Sequence, residues 1–213
     1  MDLLKPLIAL LAIVNPIGVV PFFIHFTRHL SAEQRRHTIR ISSFTAFVVI
    51  SVSALAGLQV IEFFGISLAS FQVGGGTLLL ISALQMLNAQ PAETRKEDVS
   101  EGEQKADAGA SIAVVPLTIP LLTGPATIST MVIYADQTRH WWQLAALVGY
   151  GVVVGVATFI VFSASGHIAR WLGQTGINVM TRLMGLILAA LAVEIMAEGL
   201  VKLFPVLASH LAR

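Results

Sequence analysis

The sequence predicts an all-α membrane protein: six transmembrane helices forming two inverted three-helix repeats, with helices one and four broken. Three observations carry this. Of 213 residues, 55% are hydrophobic and only 12% charged, against about 25% charged in soluble proteins, and the mean hydropathy is +0.80. Several uncharged runs reach the ~20 residues a helix needs to cross a bilayer. Two of these runs carry a proline at their middle, in Asn15-Pro16 and Gly124-Pro125. The two breaks lie 109 residues apart, and the same offset relates other landmarks along the chain.

The remaining composition narrows the function classes. Without cysteine there is no disulfide framework, thiol nucleophile or cysteine metal site. A formal charge of +1 with no basic surface gives no case for nucleic acid. The N-terminus lacks a positive n-region and a small-residue cleavage site, so the first apolar run is read as a retained span.

Leu7 to Phe26 is span one, broken at Asn15-Pro16, and a basic connection with Arg28, Arg35, Arg36 and Arg40 follows. Ile41 to Ile61 is span two, and Glu62 to Gly65 turns the chain. Ile66 to Leu87 is span three, containing Gly74-Gly75-Gly76, a triplet that lets another backbone approach closely. Gln90 to Gly109 is hydrophilic and reads as a solvated linker. Ile112 to Tyr134 is span four, with Pro116, Pro120 and Pro125 inside it, and Asp136 to His140 is a turn. Trp142 to Ser165 is span five. Span six runs from about Leu183 to Val201 and alone holds acids, Glu194 and Glu198, inside its apolar run. One membrane domain results, with a first repeat at 1–88, the linker at 89–111 and a second repeat at 112–204.

With six spans, nine of the 13 Lys and Arg residues fall on the side of connections one, three and five. The positive-inside rule makes that side cytoplasmic and puts both termini on the other. Trp141/Trp142 and Trp171 flank span five as aromatic anchors.

The 109-residue shift pairs Gly57 with Gly166, Gly76 with Gly185, Ala83 with Ala192 and Gln85 with Glu194, besides the two breaks. Each half has three spans, so the halves enter the membrane with opposite polarity, as in many secondary transporters. Proline inside a helix costs ~3 kcal/mol or more, and in lipid freed backbone groups survive only where they are buried or line a cavity. Asn15 is a good N-cap and proline suits the first helical position. Asn15-Pro16 therefore starts a new helix as well as ending the old one. Gly124-Pro125 gives the same signal with a weaker cap, assisted by the hydroxyl of Thr123 or Thr127. Two such starts at mid-membrane would hold an anionic group such as a carboxylate. The candidate substrate-binding residues are Asn15, Pro16, Gly18, Thr123, Gly124, Pro125, Thr127 and Ser129, with the Thr130 hydroxyl as a further donor. The competing reading is a pair of proline kinks that only shape packing.

Gln85 and Glu194 complete the candidate set. Glu194, the deepest acid, either carries a proton or receives a substrate ammonium, or it sits near enough to the end of span six to reach water. Gly151-Val-Val-Val-Gly155 packs a helix within the bundle or against a second copy of the chain. His25, His29 and His37 read as solvated, and no metal-ligand spacing is present.

Asn15-Pro-Ile-Gly18, Pro21-Phe22, Phe64-Gly-Ile-Ser67, Gly74 to Gly76, Val115 to Pro120, Gly124-Pro125, Gln174 to Asn178 and Arg182 to Gly185 together resemble the MarC family. The likeness spans the chain except the linker. It implies a six-span prokaryotic inner-membrane protein linked to transport of small neutral amino acids, because the SnatA-type carriers of glycine and alanine belong to that family. Glu194 matches no motif of the family.

The function expected is a secondary transporter of small neutral amino acids of the glycine, alanine and serine class, working by alternating access in the inner membrane. The alternatives are a carrier or flippase of another anionic solute or lipid-linked phosphate, or a membrane protein without transport. An enzyme is not expected, since no nucleophile–base pair lies within the spans. No cofactor is implied beyond a coupling H+ or Na+, and the partners are a small solute, the bilayer and, through the glycine motif, a homo-oligomer.

Overall fold

The computed structural model describes residues 4–28, 30–88 and 122–204. Its helices are α1 (Leu4–Val14), α2 (Pro16–Thr27), α3 (Ala32–Phe63), α4 (Leu68–Leu87), α5 (Pro125–Asp136), α6 (Trp141–Ser163) and α7 (Ser165–Leu203). Five stretches are long and apolar enough to cross a membrane: α1 with α2, α3, α4, α6 and α7. The 12-residue α5 is too short to span alone. The first half of the expected span four, the linker and Pro205 lie outside the described residues.

Local chemistry explains where the elements begin. The chain leaves helical geometry at Asn15 (φ 37°, ψ 64°) and restarts with Pro16 in the first helical position. Helix α3 begins much earlier than the expected Ile41. Ser31 and Gln34 form a capping box: Ser31 N donates to Gln34 Oε1 (2.8 Å) and Gln34 N donates to Ser31 Oγ (3.2 Å). These bonds satisfy donors that a helix start otherwise leaves bare, so Arg35, Arg36 and Arg40 sit on the first turns of a helix rather than in a loop. Likewise Arg170 and Arg182, expected in a connection, lie within α7, which is interrupted only at Gly173 (φ 60°, ψ −179°). Ser67 caps α4 by accepting from Ser70 N (3.1 Å).

The bundle is built around the proline-started segments. In the Leu4–Thr27 stretch 61% of the most apolar window is buried, against 28–39% in the other four spans. Helix α5 buries Ala126, Thr127 and every residue from Ser129 to Ala135. The four long helices surround this centre, and most of the large apolar side chains they expose, such as Phe44, Leu78, Val156 and Leu186, are suited to lipid.

Glycine sets the close approaches. A β-carbon on Gly76 of α4 would lie 3.1 Å from the Ala192 carbonyl of α7, and one on Gly185 of α7 would lie 2.9 Å from the Ala83 carbonyl of α4. Gly199 faces the Ala69 carbonyl at 2.8 Å. Contacts that descend one helix as they climb the other make α4 and α7 antiparallel. The α3–α6 pair is also antiparallel: Gly155 meets Ser43 and Gly151 meets Ile50 and Ser51, while Arg35 reaches Ser165 just past the end of α6. Gly151 and Gly155 are therefore used inside the bundle. Stacked Phe23 and Phe162 rings, 4.4 Å between centroids, join α2 to α6 in the core.

Candidate functional site

Asn15 makes the first helix start. Its backbone is in the left-handed region, which Asn tolerates better than most residues because its short amide bonds locally. Its Oδ1 accepts from Gly18 N at 3.3 Å, capping α2, while its Nδ2 donates to Thr181 Oγ1 on α7 at 3.4 Å. Thr181 in turn donates to the Ile177 carbonyl at 2.9 Å. Gly18 is where this cluster needs the absence of a side chain: a β-carbon there would overlap the Asn15 amide and lie 2.9 Å from Thr181 Oγ1. Asn15 and Thr181 are both buried, at 8% and 3% exposure.

Beside this cluster lies a cavity of about 130 Å³ between α2 and α7, lined by Gly18, Pro21 and Phe22 on one side and Gln174, Ile177, Asn178 and Thr181 on the other. Gln174 Nε2 donates to Asn178 Oδ1 at 3.1 Å. The lining is apolar with a short row of amides and one hydroxyl, a makeup suited to a small polar solute.

Gly124 makes the second start. It is extended (φ −84°, ψ −174°), Pro125 follows in the first helical position, and Ile128 N donates to the Gly124 carbonyl at 3.2 Å. Gly124, the N-cap residue, has no side chain with which to cap α5. Its first-turn N–H groups thus keep the partial positive charge of a helix N-terminus, which Asn15 partly satisfies at α2. Thr123 and Thr127 are both buried, at 0% and 1% exposure, and among the described residues Thr127 Oγ1 has no hydrogen-bond partner. Thr127 therefore does not act as the auxiliary cap expected of it. Ser129 packs its Cβ where a β-carbon on Gly75 would come within 2.9 Å, and Thr130 is buried on the same helix.

The structure brings Asn15, Pro16 and Gly18 together at the start of α2, and Thr123, Gly124, Pro125, Thr127 and Ser129 together at the start of α5. Gln85 is half-buried near the end of α4. Glu194 stands apart. It is on the exposed side of α7, with its side chain 49% accessible and its Oε1 2.5 Å from Lys5 Nζ. Thr181, Gln174 and Asn178 were not among the candidate residues expected from sequence. Their spacing of four and three residues places them on one helix face, a pattern visible in the chain once that stretch is known to be helical.

Comparison with known proteins bears on the whole chain. Residues 2–204 match the family described as MarC family integral membrane protein. The UPF0056 membrane protein YvbG of Bacillus subtilis (strain 168) is 35% identical over 206 residues, covering 95% of each chain. The UPF0056 membrane protein YhcE of Escherichia coli (strain K12) is 33% identical over 206 residues, covering 94% of this chain and 93% of the relative. A UPF0056 membrane protein of Aquifex aeolicus is 33% identical over 197 residues, covering 92% and 91%. No solved structure matches.

Proposed function

The chain belongs to the MarC family of integral membrane proteins, and from that premise we propose that it is a secondary transporter of small neutral amino acids, of the glycine, alanine and serine class. The observation that carries the reading is the likeness of the two proline-started helices. Pro16–Thr27 and Pro125–Asp136 are both 12 residues long, begin 109 residues apart and lie at the centre of the bundle.

The proposal reads the two halves as inverted repeats. The antiparallel crossing of α4 and α7 supports this, because its close contacts are reciprocal. Gly76 and Gly185 are repeat mates, as are Ala83 and Ala192, and each glycine meets the mate of the other's partner. Such reciprocity is what a two-fold relation between repeats produces. The start of α3 at Ala32 and of α6 at Trp141 also keeps the 109-residue spacing.

In this mechanism the glycine-started N-terminus of α5 receives the substrate carboxylate through backbone N–H groups, with the Thr127 hydroxyl as a further donor. The Asn15–Thr181 cluster and the cavity between α2 and α7 are taken, under this proposal, as the other part of the site. Carbonyls freed at the breaks accept from the ammonium. A small side chain is the size a cavity of this volume admits, and rocking of one repeat against the other alternates access. Glu194, paired with Lys5 on the exposed face, is left outside the site. The arginine-rich face of α3 is assigned to the cytoplasm, with both termini on the opposite side of the inner membrane.

A thermal-shift screen of the purified protein tests the ligand class. Stabilisation by glycine, alanine and serine but not by phosphorylated lipids supports the reading. Stabilisation by phosphorylated compounds alone favours a carrier of other anions, and no ligand-dependent shift favours a protein without transport.

A further inference from the structure

The arginine-rich end of α3 carries a second site, independent of the transport reading. Arg35, Arg36 and Arg40 line an open cavity of about 460 Å³ with Ile39 of α3 and Phe159 and Ser163 of α6. Arg36 and Arg40 are one helical turn apart and so share a face. Arg35 is fixed in place: it donates to Ser165 Oγ at 2.7 Å and lies over the Phe23 ring, 5.3 Å from its centroid. Among the described residues its buried Nε has no acceptor.

Three guanidiniums lining one cavity repel one another unless an anion joins them. Among the described residues the one ion pair is Lys5–Glu194, so Glu33, the acid at the same end of α3, forms no ion pair with them. Guanidinium groups match phosphate oxygens in geometry and charge. The cavity also has an apolar exit. Phe159, Val156 and Val152 are exposed along α6, at successive turns leading away from the charged end. A free phosphate would use the arginines alone, whereas a phospholipid would use the arginines and this strip together.

We propose that this groove binds the phosphate headgroup of an anionic phospholipid, with Arg36 and Arg40 on the phosphate and an acyl chain along Phe159 and Val156. The leaflet it occupies is the one that the start of α3 faces, where basic residues and anionic headgroups attract each other. Arg35 ties α3 to the start of α7 through Ser165 and completes the positive wall.

The test is native mass spectrometry of the full chain released from detergent, with phosphatidylglycerol and phosphatidylcholine of identical acyl chains offered in turn. Phosphatidylglycerol should stay bound in preference to phosphatidylcholine, and millimolar inorganic phosphate should not displace it. The double variant Arg36→Gln/Arg40→Gln, which leaves Arg35 intact, should weaken phosphatidylglycerol binding about thirtyfold, from the usual contribution of two basic residues at a membrane surface. Phe159→Ala should weaken it while leaving any binding of inorganic phosphate unaltered. Equal retention of both lipids by the unaltered chain would overturn the proposal, as would displacement by inorganic phosphate, which marks a site for soluble anions. Undiminished phosphatidylglycerol binding by the double variant would overturn it too.

Discussion

The side-chain amide of Asn15 reaches across 166 positions of sequence to the hydroxyl of Thr181, at 3.4 Å, while the other end of the same amide caps α2. One residue thus fixes the direction in which the central helix restarts and keys that restart to α7.

Substitutions at Asn15 should separate its backbone role from its side-chain role. Asn15→Ala loses the cap, about 1 kcal/mol, and with it the local amide bonding that lets Asn occupy the left-handed region, a conformation that costs an ordinary side chain about 1–2 kcal/mol. Asn15→Gly avoids the second cost. Chemical or thermal unfolding in detergent should rank the parent above the glycine variant and the glycine variant above the alanine variant. Equal stability of the two variants would show that the left-handed backbone at Asn15 carries no strain.

The glycine triplet of α4 is not uniform. A β-carbon on Gly74 would meet nothing within 4 Å, whereas one on Gly76 would meet Met196 and the Ala192 carbonyl. Gly74→Ala should be neutral or stabilise by up to about 1 kcal/mol through helix propensity. Gly76→Ala and Gly185→Ala should each lower stability by about 1–3 kcal/mol, the usual range for overpacking. Comparable losses at Gly76 and Gly185 are expected from their reciprocal contacts. A loss at Gly74 matching theirs would argue that propensity, not contact, governs the triplet.

Thr127 offers a test of ligand contact that spares the fold. Its buried hydroxyl has no partner among the described residues, so Thr127→Val should leave the melting temperature unchanged or raise it. If the hydroxyl donates to substrate, the apparent KM for alanine uptake should rise about tenfold, the worth of one hydrogen bond. An unaltered KM would remove Thr127 from the site.

Glu194→Gln should cost less than about 1 kcal/mol, since its ion pair with Lys5 is half-exposed. Gradient-driven uptake should stay within twofold of the parent. Loss of the response to a pH gradient would return Glu194 to the mechanism as the coupling group.

Much of the fold was legible because a bilayer imposes coarse rules. Uncharged runs located the five stretches that are long and apolar enough to cross a membrane, and Asn15-Pro16 announced a cap and a helix start in two adjacent residues. Helix ends beyond the apolar runs were not legible from hydropathy: α3 extends back to Ala32 through a charged stretch, and its Ser31–Gln34 capping box was the overlooked signal. The arginine-bearing start of α7 was missed for the same reason. The residue pairs expected from the 109-residue offset differ in their surroundings. Gly76 and Gly185 share reciprocal packing, whereas Gly57 meets Val132 and its mate Gly166 meets nothing within 4 Å. Gln85 and Glu194 likewise differ, one half-buried and the other exposed with Lys5. Thr181 could not be read from local sequence, because its importance comes from a contact with Asn15 in the opposite half of the chain.

Uptake of labelled alanine into proteoliposomes, under an imposed pH or sodium gradient, tests the central claim most directly. The account predicts saturable uptake above protein-free liposomes, competed by glycine and serine, driven by one of the two gradients and abolished by Gly124→Leu in a protein that still extracts as a folded monodisperse species. Alanine flux equal to that of protein-free liposomes under every gradient would contradict it.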